Sequence, residues 1–399
     1  MCREFSHSSR LRDAVTSEVS LTASALSSAG HDTVILAGKS LPDQELPEQS
    51  HQKINIIRIP EQEIINPFRY TKLLDAISTL HCDVIVTYLS FMLFPKFSRL
   101  LSRLSVTAFH RLIHGKLFLA DVSHALPDLL LRYLSAYGKI DFYDIARLLY
   151  PTFLLRTTSK TKALGTVITL SDRTRRALLR SGFNDQKVMT VPPAIAPIWF
   201  KGPNRERMTS GFSASEKKIL YYGGGPSILR GIDTLIQSVR YLNDPDIHLE
   251  VYLRGSDRCD QKLMLGLARK LGLSSQVTVV MGFQEADFLV KRVLESDCVV
   301  LPFKLMAKVA DVPLTVVEPM ACGKPVISTS VGAIPEVVQH GTNGLLVRPS
   351  SAKQLSEAIN SIVQNDSLRT RFSSNARKSA ELYRSDSVIG RLTNIYESV

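Results

Sequence analysis

Residues 310–336 read ADVPLTVVEPMACGKPVISTSVGAIPE. A loop leads into a short helical stretch whose one acid is Glu318. The chain turns at Gly323-Lys324-Pro325, runs into the apolar strand Val326-Ile327-Ser328-Thr329, and turns again at Val331-Gly332-Ala333-Ile334-Pro335. A loop that feeds a helix and then a strand of a parallel sheet is where α/β proteins build ligand sites.

The same alternation continues on both sides. Upstream, apolar strand patterns cover 218–222, 249–253, 277–280 and 298–301, with helical patterns at 231–242, 260–271 and 286–295. Downstream come a strand at 344–347, a helix at 351–364 and a last helix at 366–398, broken near Arg384. Strand–helix repeats of this length imply right-handed βαβ units on a parallel sheet. The first half repeats the pattern less cleanly. An amphipathic helix at 10–29 ends at Gly30, a C-cap glycine. Strands follow at 33–37, 54–59, 82–87, 105–110, 166–171 and 188–191, and Ser171 can cap a helix at 172–181. A helix ahead of the first strand predicts a domain without its opening strand and loop.

The polar, Gly-containing stretch near 199–215 reads as a linker. The expected fold class is therefore α/β, with two Rossmann-like domains facing each other across a cleft. The first spans 1–198, the linker 199–217 and the second 218–380. A C-terminal helix, 381–399, is placed to cross back to the first domain.

A chain of 399 residues exceeds what one core usually serves. Its net charge of +12 points to an anionic partner, namely nucleotide phosphates, nucleic acid or an acidic membrane face, or else to a basic surface that aids solubility. Nucleic acid is set aside, because the basic residues are not interleaved with aromatics on one sheet face. The five cysteines are dispersed without metal-ligand spacing, which fits free thiols in a reducing compartment. The start is polar, unlike a signal peptide, and no apolar run reaches the ~18–20 residues that span a bilayer. Residues 84–120 hold no Asp or Glu but carry Lys96, Arg99, Arg103, Arg111 and Lys116 among many Leu and Phe. That composition suits a helix lying on an anionic membrane surface, and equally a core helix with a basic rim. The expected location is cytoplasmic, in the first case peripheral at the cytoplasmic face of the membrane.

Few residues are placed for chemistry. Gly223-Gly224-Gly225 leaves a strand and precedes a helix, so its backbone N–H groups can approach a phosphate, as they can also serve a plain turn. Arg230 can grip a diphosphate through its planar fork. Glu318 can accept ribose hydroxyls, or stand as a helix-surface acid. Asp311 reads as a loop-capping residue and Lys324 as a solvated turn. His110 and His114 are cleft donors or half-buried histidines.

Together the motifs exceed their parts. Val317-Glu318-Pro319-Met320-Ala321-Cys322-Gly323-Lys324-Pro325-Val326-Ile327, then Val331-Gly332-Ala333-Ile334-Pro335-Glu336, then Gly341-Thr342-Asn343-Gly344-Leu345-Leu346-Val347 closely resemble the donor-binding block of family-four (group 1) GT-B glycosyltransferases. Arg230-Gly231-Ile232-Asp233 and Ser296-Asp297-Cys298-Val299-Val300-Leu301-Pro302 are similar to further family segments. The resemblance is strong from Lys218 onward and weaker before it.

It implies sugar transfer from a UDP- or GDP-sugar to a lipid-linked or polysaccharide acceptor, with retention at the anomeric carbon and with neither metal nor cofactor. Glu318 would hold the ribose and Arg230 would neutralise the leaving diphosphate. Pro313-Leu314-Thr315 would set backbone N–H groups against phosphate and sugar, and the base would rest near Met281 and Gly282. A histidine, His110 or His114, would face the donor sugar. The family's first acid falls here on Ala310, with Asp311 one residue on as the candidate substitute. Its loop arginine falls on Gly224 or Gly225. These departures, with the missing opening strand, leave a second expectation: a truncated homologue that binds nucleotide or a partner transferase without turnover.

Overall fold

A computed structural model describes residues 23–24, 26–38, 54–59, 84–88, 108–113, 166–180, 182–200, 217–223, 228–242, 244–253, 258–282, 284–305 and 311–397. The chain divides into two compact units, Met1–Ala194 with Ser385–Val399, and Ile195–Arg384.

In the first unit, strands β1 (Thr33–Gly38) and β2 (Ile54–Ile59) pair in parallel. The helical turns before β1 stop at Gly30, which adopts φ +95° while the N–H of His31 reaches back to the Leu26 carbonyl. This is the left-handed helix stop that glycine permits. Strands β3 (Val84–Tyr88), β4 (Ala108–Ile113), β5 (Val167–Thr169) and β6 (Val188–Thr190) form a second parallel sheet in that order. The strand expected at 105–110 thus begins and ends a few residues later. Helix α1 (Asp172–Arg180) joins β5 to β6, and Ser171 Oγ accepts the Thr174 N–H at 3.1 Å, the expected cap.

The second unit alternates β7 (Lys217–Gly223), α2 (Ile232–Val239), β8 (Ile247–Leu253), α3 (Arg258–Lys270), β9 (Val277–Met281), α4 (Ala286–Glu295), β10 (Cys298–Leu301), α5 (Leu314–Ala321), β11 (Val326–Thr329), α6 (Ile334–Val337), β12 (Gly344–Val347), α7 (Ala352–Val363) and α8 (Asp366–Ala380). Its six strands are all parallel, in the order β12-β11-β10-β7-β8-β9. The central strands are buried apolar runs, as a sheet covered on both faces requires. The strand order reverses between β7 and β10, the doubly wound pattern whose ligand crevice lies beyond the carboxyl ends of those two strands.

The units divide at Ala194/Ile195, ahead of the expected linker at 199–217. Trp199 and Phe200 end a short 3-10 turn, Pro197–Phe200, and are buried in the second unit. Trp199 stacks on Tyr222, with centroids 5.8 Å apart and planes 15° apart, and Phe200 lies under the Arg384 guanidinium. Two large aromatic rings carry too much apolar surface to be left in an open connector. The second unit ends at Arg384, after the 3-10 turn Glu381–Tyr383, where the Ile195 N–H donates to the Tyr383 carbonyl at 2.9 Å. Helix α9 (Ser385–Glu397) packs Val388, Leu392 and Ile395 with Ile168, Val191 and Ala194 of the first unit.

Lys324 is not a solvated turn. Its Nζ donates to the Ser296 carbonyl at 2.8 Å, while Asp297 accepts the Lys218 N–H at 2.8 Å, so the starts of β7, β10 and β11 are tied together. Burial holds the Lys324 ammonium below the usual lysine range, against the pull of nearby Asp297.

A second polar network joins β8 to α4. Arg292 pairs with Glu250, and the Tyr252 hydroxyl donates to Glu250 Oε2 at 3.0 Å. Burial first, and then the Glu250 charge, push the Tyr252 hydroxyl up to about 12. An unfolded tyrosine titrates near ~10. Between these values the folded chain holds the proton that the unfolded chain has lost. The stabilisation is therefore complete below pH ~10 and drains away as pH rises towards ~12. Urea melts at pH 9 and 11 should show Tyr252→Phe losing on the order of 1 kcal/mol less than the parent over that interval.

Candidate functional site

The crevice is built from the segments that follow β7 and β10. After Gly223 the chain enters the 3-10 turn Ile228–Arg230, and Gly231 then opens α2 in a left-handed conformation, φ +74°. After β10 comes Pro302-Phe303-Lys304. The two segments are stitched by backbone: the Lys304 and Leu305 N–H groups both donate to the Leu229 carbonyl, at 2.8 and 3.3 Å. Contact is so close that a Cβ on Gly231 would lie 1.8 Å from the Pro302 oxygen. Lys304 Nζ also pairs with Asp233 Oδ2 at 2.6 Å, across from the first turn of α2. The other Asp233 oxygen is buried without a hydrogen-bond partner among the described residues.

Arg230 is held at the crevice by this stitching. Its guanidinium reaches back over Gly223, within 3.4 Å of where a Cβ would stand there, and beside the Tyr221 hydroxyl. That hydroxyl is buried and has no aligned hydrogen-bond partner among the described residues. Burial raises its pKa, and the positive charge of Arg230 opposes the rise. Tyr221 and Tyr222 are successive strand residues, so their side chains leave β7 on opposite faces.

Tyr222 serves the other anchor. Its hydroxyl donates to Glu318 Oε2 at 2.9 Å. Glu318 sits in the second turn of α5, half-buried, and is not the exposed helix-surface acid that residue statistics alone favour. Pro313 caps α5 with extended backbone and no side-chain cap bond, and Leu314 and Thr315 follow as its first residues. The N-terminus of α5 is thus a positive pole that favours an anion. Asp311, just before it, is buried at 4% exposure. At the far end of α5, Cys322 Sγ donates to the Trp199 carbonyl at 3.3 Å. Burial and the Glu318 charge push the Cys322 thiol up to about 12, which keeps it protonated and inert at neutral pH.

Among the expected site residues, Gly223 ends β7 with the Arg230 guanidinium beside it, and Pro313, Leu314, Thr315 and Glu318 lie at or in α5, in the segment that follows β10. Met281 ends β9, and Gly282 follows it with φ +124°. The register runs Gly223, Leu253, Met281 across β7, β8 and β9, so Met281 lies two strand spacings from Gly223, about 10 Å. His110 belongs to β4 of the first unit, opposite Val86. His114, Gly224, Gly225 and Ala310 lie outside the described residues, as does most of the 84–120 segment.

Sequence reading missed Tyr222, Trp199, Asp233 with Lys304, and the contact that needs Gly231. Only Trp199 carried a visible signal, as the one tryptophan of the chain followed by a phenylalanine. Among the described residues no three His, Cys, Asp or Glu side chains group to hold a metal ion, and no helix is long and apolar enough to cross a membrane.

Crevice, strand order and motifs define the class. Residues 204–379 match the family Glycosyl transferases group 1. Over 190 residues the chain is 27% identical to N-acetyl-alpha-D-glucosaminyl L-malate synthase of Bacillus anthracis, covering 47% of each chain. The chain spans about half the length of the curated relatives it matches. A glycosyltransferase from Rickettsia africae superposes with a TM-score of 0.72 at 16% identity, covering 97% of this chain and 96% of that one. HepE of Anabaena, crystallised in complex with UDP-glucose, gives 0.70 at 16% identity with 98% of both chains covered. The fold is that of the GT-B glycosyltransferases.

Proposed function

We propose that the protein transfers a sugar from a nucleotide-diphosphate sugar to a glycan or lipid-linked acceptor. The observation that carries this reading is the placement of Arg230 and Glu318 at the switch point of a doubly wound sheet, beside the N-terminus of α5. A crevice with a cation, a helix N-terminus and a carboxylate matches the three parts of a nucleoside diphosphate: charge, phosphate oxygens and ribose hydroxyls. The UDP-glucose complex of a protein with the same fold supports a UDP-sugar donor, and GDP-sugars share the same three parts.

In this reading Glu318 accepts ribose hydroxyls, the base rests near Met281 and Gly282, and the N–H groups at Leu314 and Thr315 meet the diphosphate. The bond from the anomeric carbon to the diphosphate breaks, and Arg230 neutralises the charge that builds on the leaving oxygen. That interaction strengthens most in the transition state. The acceptor hydroxyl bonds to the anomeric carbon on the face the diphosphate leaves and passes its proton to the departing diphosphate oxygen, with retention, and no metal is needed where Arg230 and the helix terminus carry the charge. Asp311 stands in for the family's first acid, and His110 or His114 faces the donor sugar. The 84–120 segment and the net charge of +12 suit work at an anionic membrane face.

Calorimetric titration with UDP and GDP tests the site. One of the two should bind, and Glu318→Gln should weaken it about ten- to hundredfold, the loss expected for a charge-assisted hydrogen bond. Equal affinity in parent and variant would take Glu318 out of the ribose role. Incubation with a panel of nucleotide-sugars then decides between an enzyme and a nucleotide-binding protein without turnover.

A further inference from the structure

Glu318 is not placed by its helix alone. A glutamate on a helix has three rotatable bonds, and a carboxylate that must meet two neighbouring hydroxyls loses affinity if it samples them all. Tyr222 restricts this freedom from the neighbouring strand β7. It lies near the carboxyl end of the central strand β7, 96 residues away in sequence, and donates its hydroxyl to Glu318 Oε2 at 2.9 Å. The Tyr222 ring is itself fixed. It is buried, at 3% exposure, and stacks on Trp199. Trp199 is tied in turn to the end of α5, through its carbonyl and the Cys322 thiol. Tyr222, Trp199, Cys322 and Glu318 thus close a loop of contacts around one helix, with the carboxylate as its polar member.

A buried tyrosine could equally have been a phenylalanine if packing were its whole task, since the stacking on Trp199 uses only the ring. The hydroxyl donates to Glu318 Oε2, a bond that a phenylalanine could not make. We infer that Tyr222 is a positioning residue for ribose recognition: it holds the Glu318 carboxylate in the rotamer that meets the ribose hydroxyls of the bound nucleoside diphosphate. This rests on the donor-site reading given above. A pre-oriented acceptor gains affinity because its ordering cost is met before the ligand arrives. The discrimination between a ribonucleotide and its deoxy analogue should therefore depend on Tyr222, although Tyr222 itself touches no ligand in this account.

The test is binding of UDP and GDP, and of the 2′-deoxy and 3′-deoxy forms of whichever binds, to the full chain and to Tyr222→Phe. The parent should bind the ribonucleoside diphosphate at least about tenfold more tightly than one of its deoxy forms. In Tyr222→Phe the ribonucleoside diphosphate should weaken about tenfold while that deoxy form changes little, so the ratio collapses towards one. A ratio is independent of how much of the variant is folded. Trp199→Phe, which keeps a stacking ring, should retain the parental ratio and separates loss of packing from loss of the hydroxyl.

Tyr222→Phe that melts at a lower temperature but keeps the parental ratio would overturn the inference and leave the donor site standing. A parent that binds UDP or GDP without preferring the ribose form would remove Glu318 from ribose recognition, and Tyr222 with it. A parent that binds neither nucleotide would overturn the donor-site reading itself.

Discussion

Gly231→Ala should unfold the second unit at markedly lower temperature. The added methyl carbon would stand 1.8 Å from the Pro302 carbonyl oxygen and 2.9 Å from its carbon. Both are backbone atoms, so no side chain can swing aside. The residue also sits at φ +74°, where an L side chain is strained. Relief requires α2 to move away from the segment after β10. That would break the Lys304 and Leu305 bonds to the Leu229 carbonyl and the Lys304–Asp233 pair. Backbone strain and forced repacking together should cost about 3–5 kcal/mol. For a unit of this size that corresponds to a fall in Tm of about 6–20 °C, read by circular dichroism. Nucleotide that still binds the folded variant should recover part of the loss by mass action. Gly231→Ala melting with the parent would refute the close approach.

The second large effect is kinetic. Arg230→Ala should lower kcat for sugar transfer about 10²–10³-fold, the range found when one fixed donor to developing negative charge is removed. Binding of the nucleoside diphosphate should weaken less, because the charge on the leaving oxygen is greatest in the transition state. Stability should change little. Arg230 is half-exposed, and its charge serves the buried Tyr221 hydroxyl without an aligned hydrogen bond. A Tm within a few degrees of the parent, with kcat lost and the diphosphate still bound, would mark Arg230 as acting on the transition state. A variant of undiminished kcat would transfer the role to another cation, with Lys304, paired to Asp233 at the start of α2, as a candidate.

Much of the second unit was readable from pattern. Helix 286–295 and strand 298–301 coincide with α4 and β10, and the break in the last helix falls at the 3-10 turn before Arg384. The reason is physical: a parallel strand covered on both faces is a short continuous apolar run, and each run here is bounded by turn residues. Gly30 and Ser171 were readable as helix stop and helix cap because each acts on backbone within a few residues of itself. Arg230 and Glu318 were readable as candidates, since their motifs are contiguous.

The rest depended on distance in sequence. Lys324 read as solvated because lysine in a Gly-Lys-Pro turn usually is, yet the neighbouring β10 brings the Ser296 carbonyl to its ammonium. Trp199 read as linker because its neighbours are polar, yet β7 offers Tyr222 for stacking. The sequence by itself determined the elements, their parallel character and the motifs by which residues 204–379 match the group 1 glycosyl transferases. Only the tertiary structure decided which strand lies beside which, and hence that the segment carrying Arg230 and the segment carrying α5 and Glu318 follow neighbouring strands, β7 and β10. It alone showed that Gly231 must be a glycine and that Tyr222 grips Glu318. Those contacts join positions 71 and 96 apart in the chain, and a local pattern of apolar and polar residues holds no record of partners that only packing brings within bonding distance.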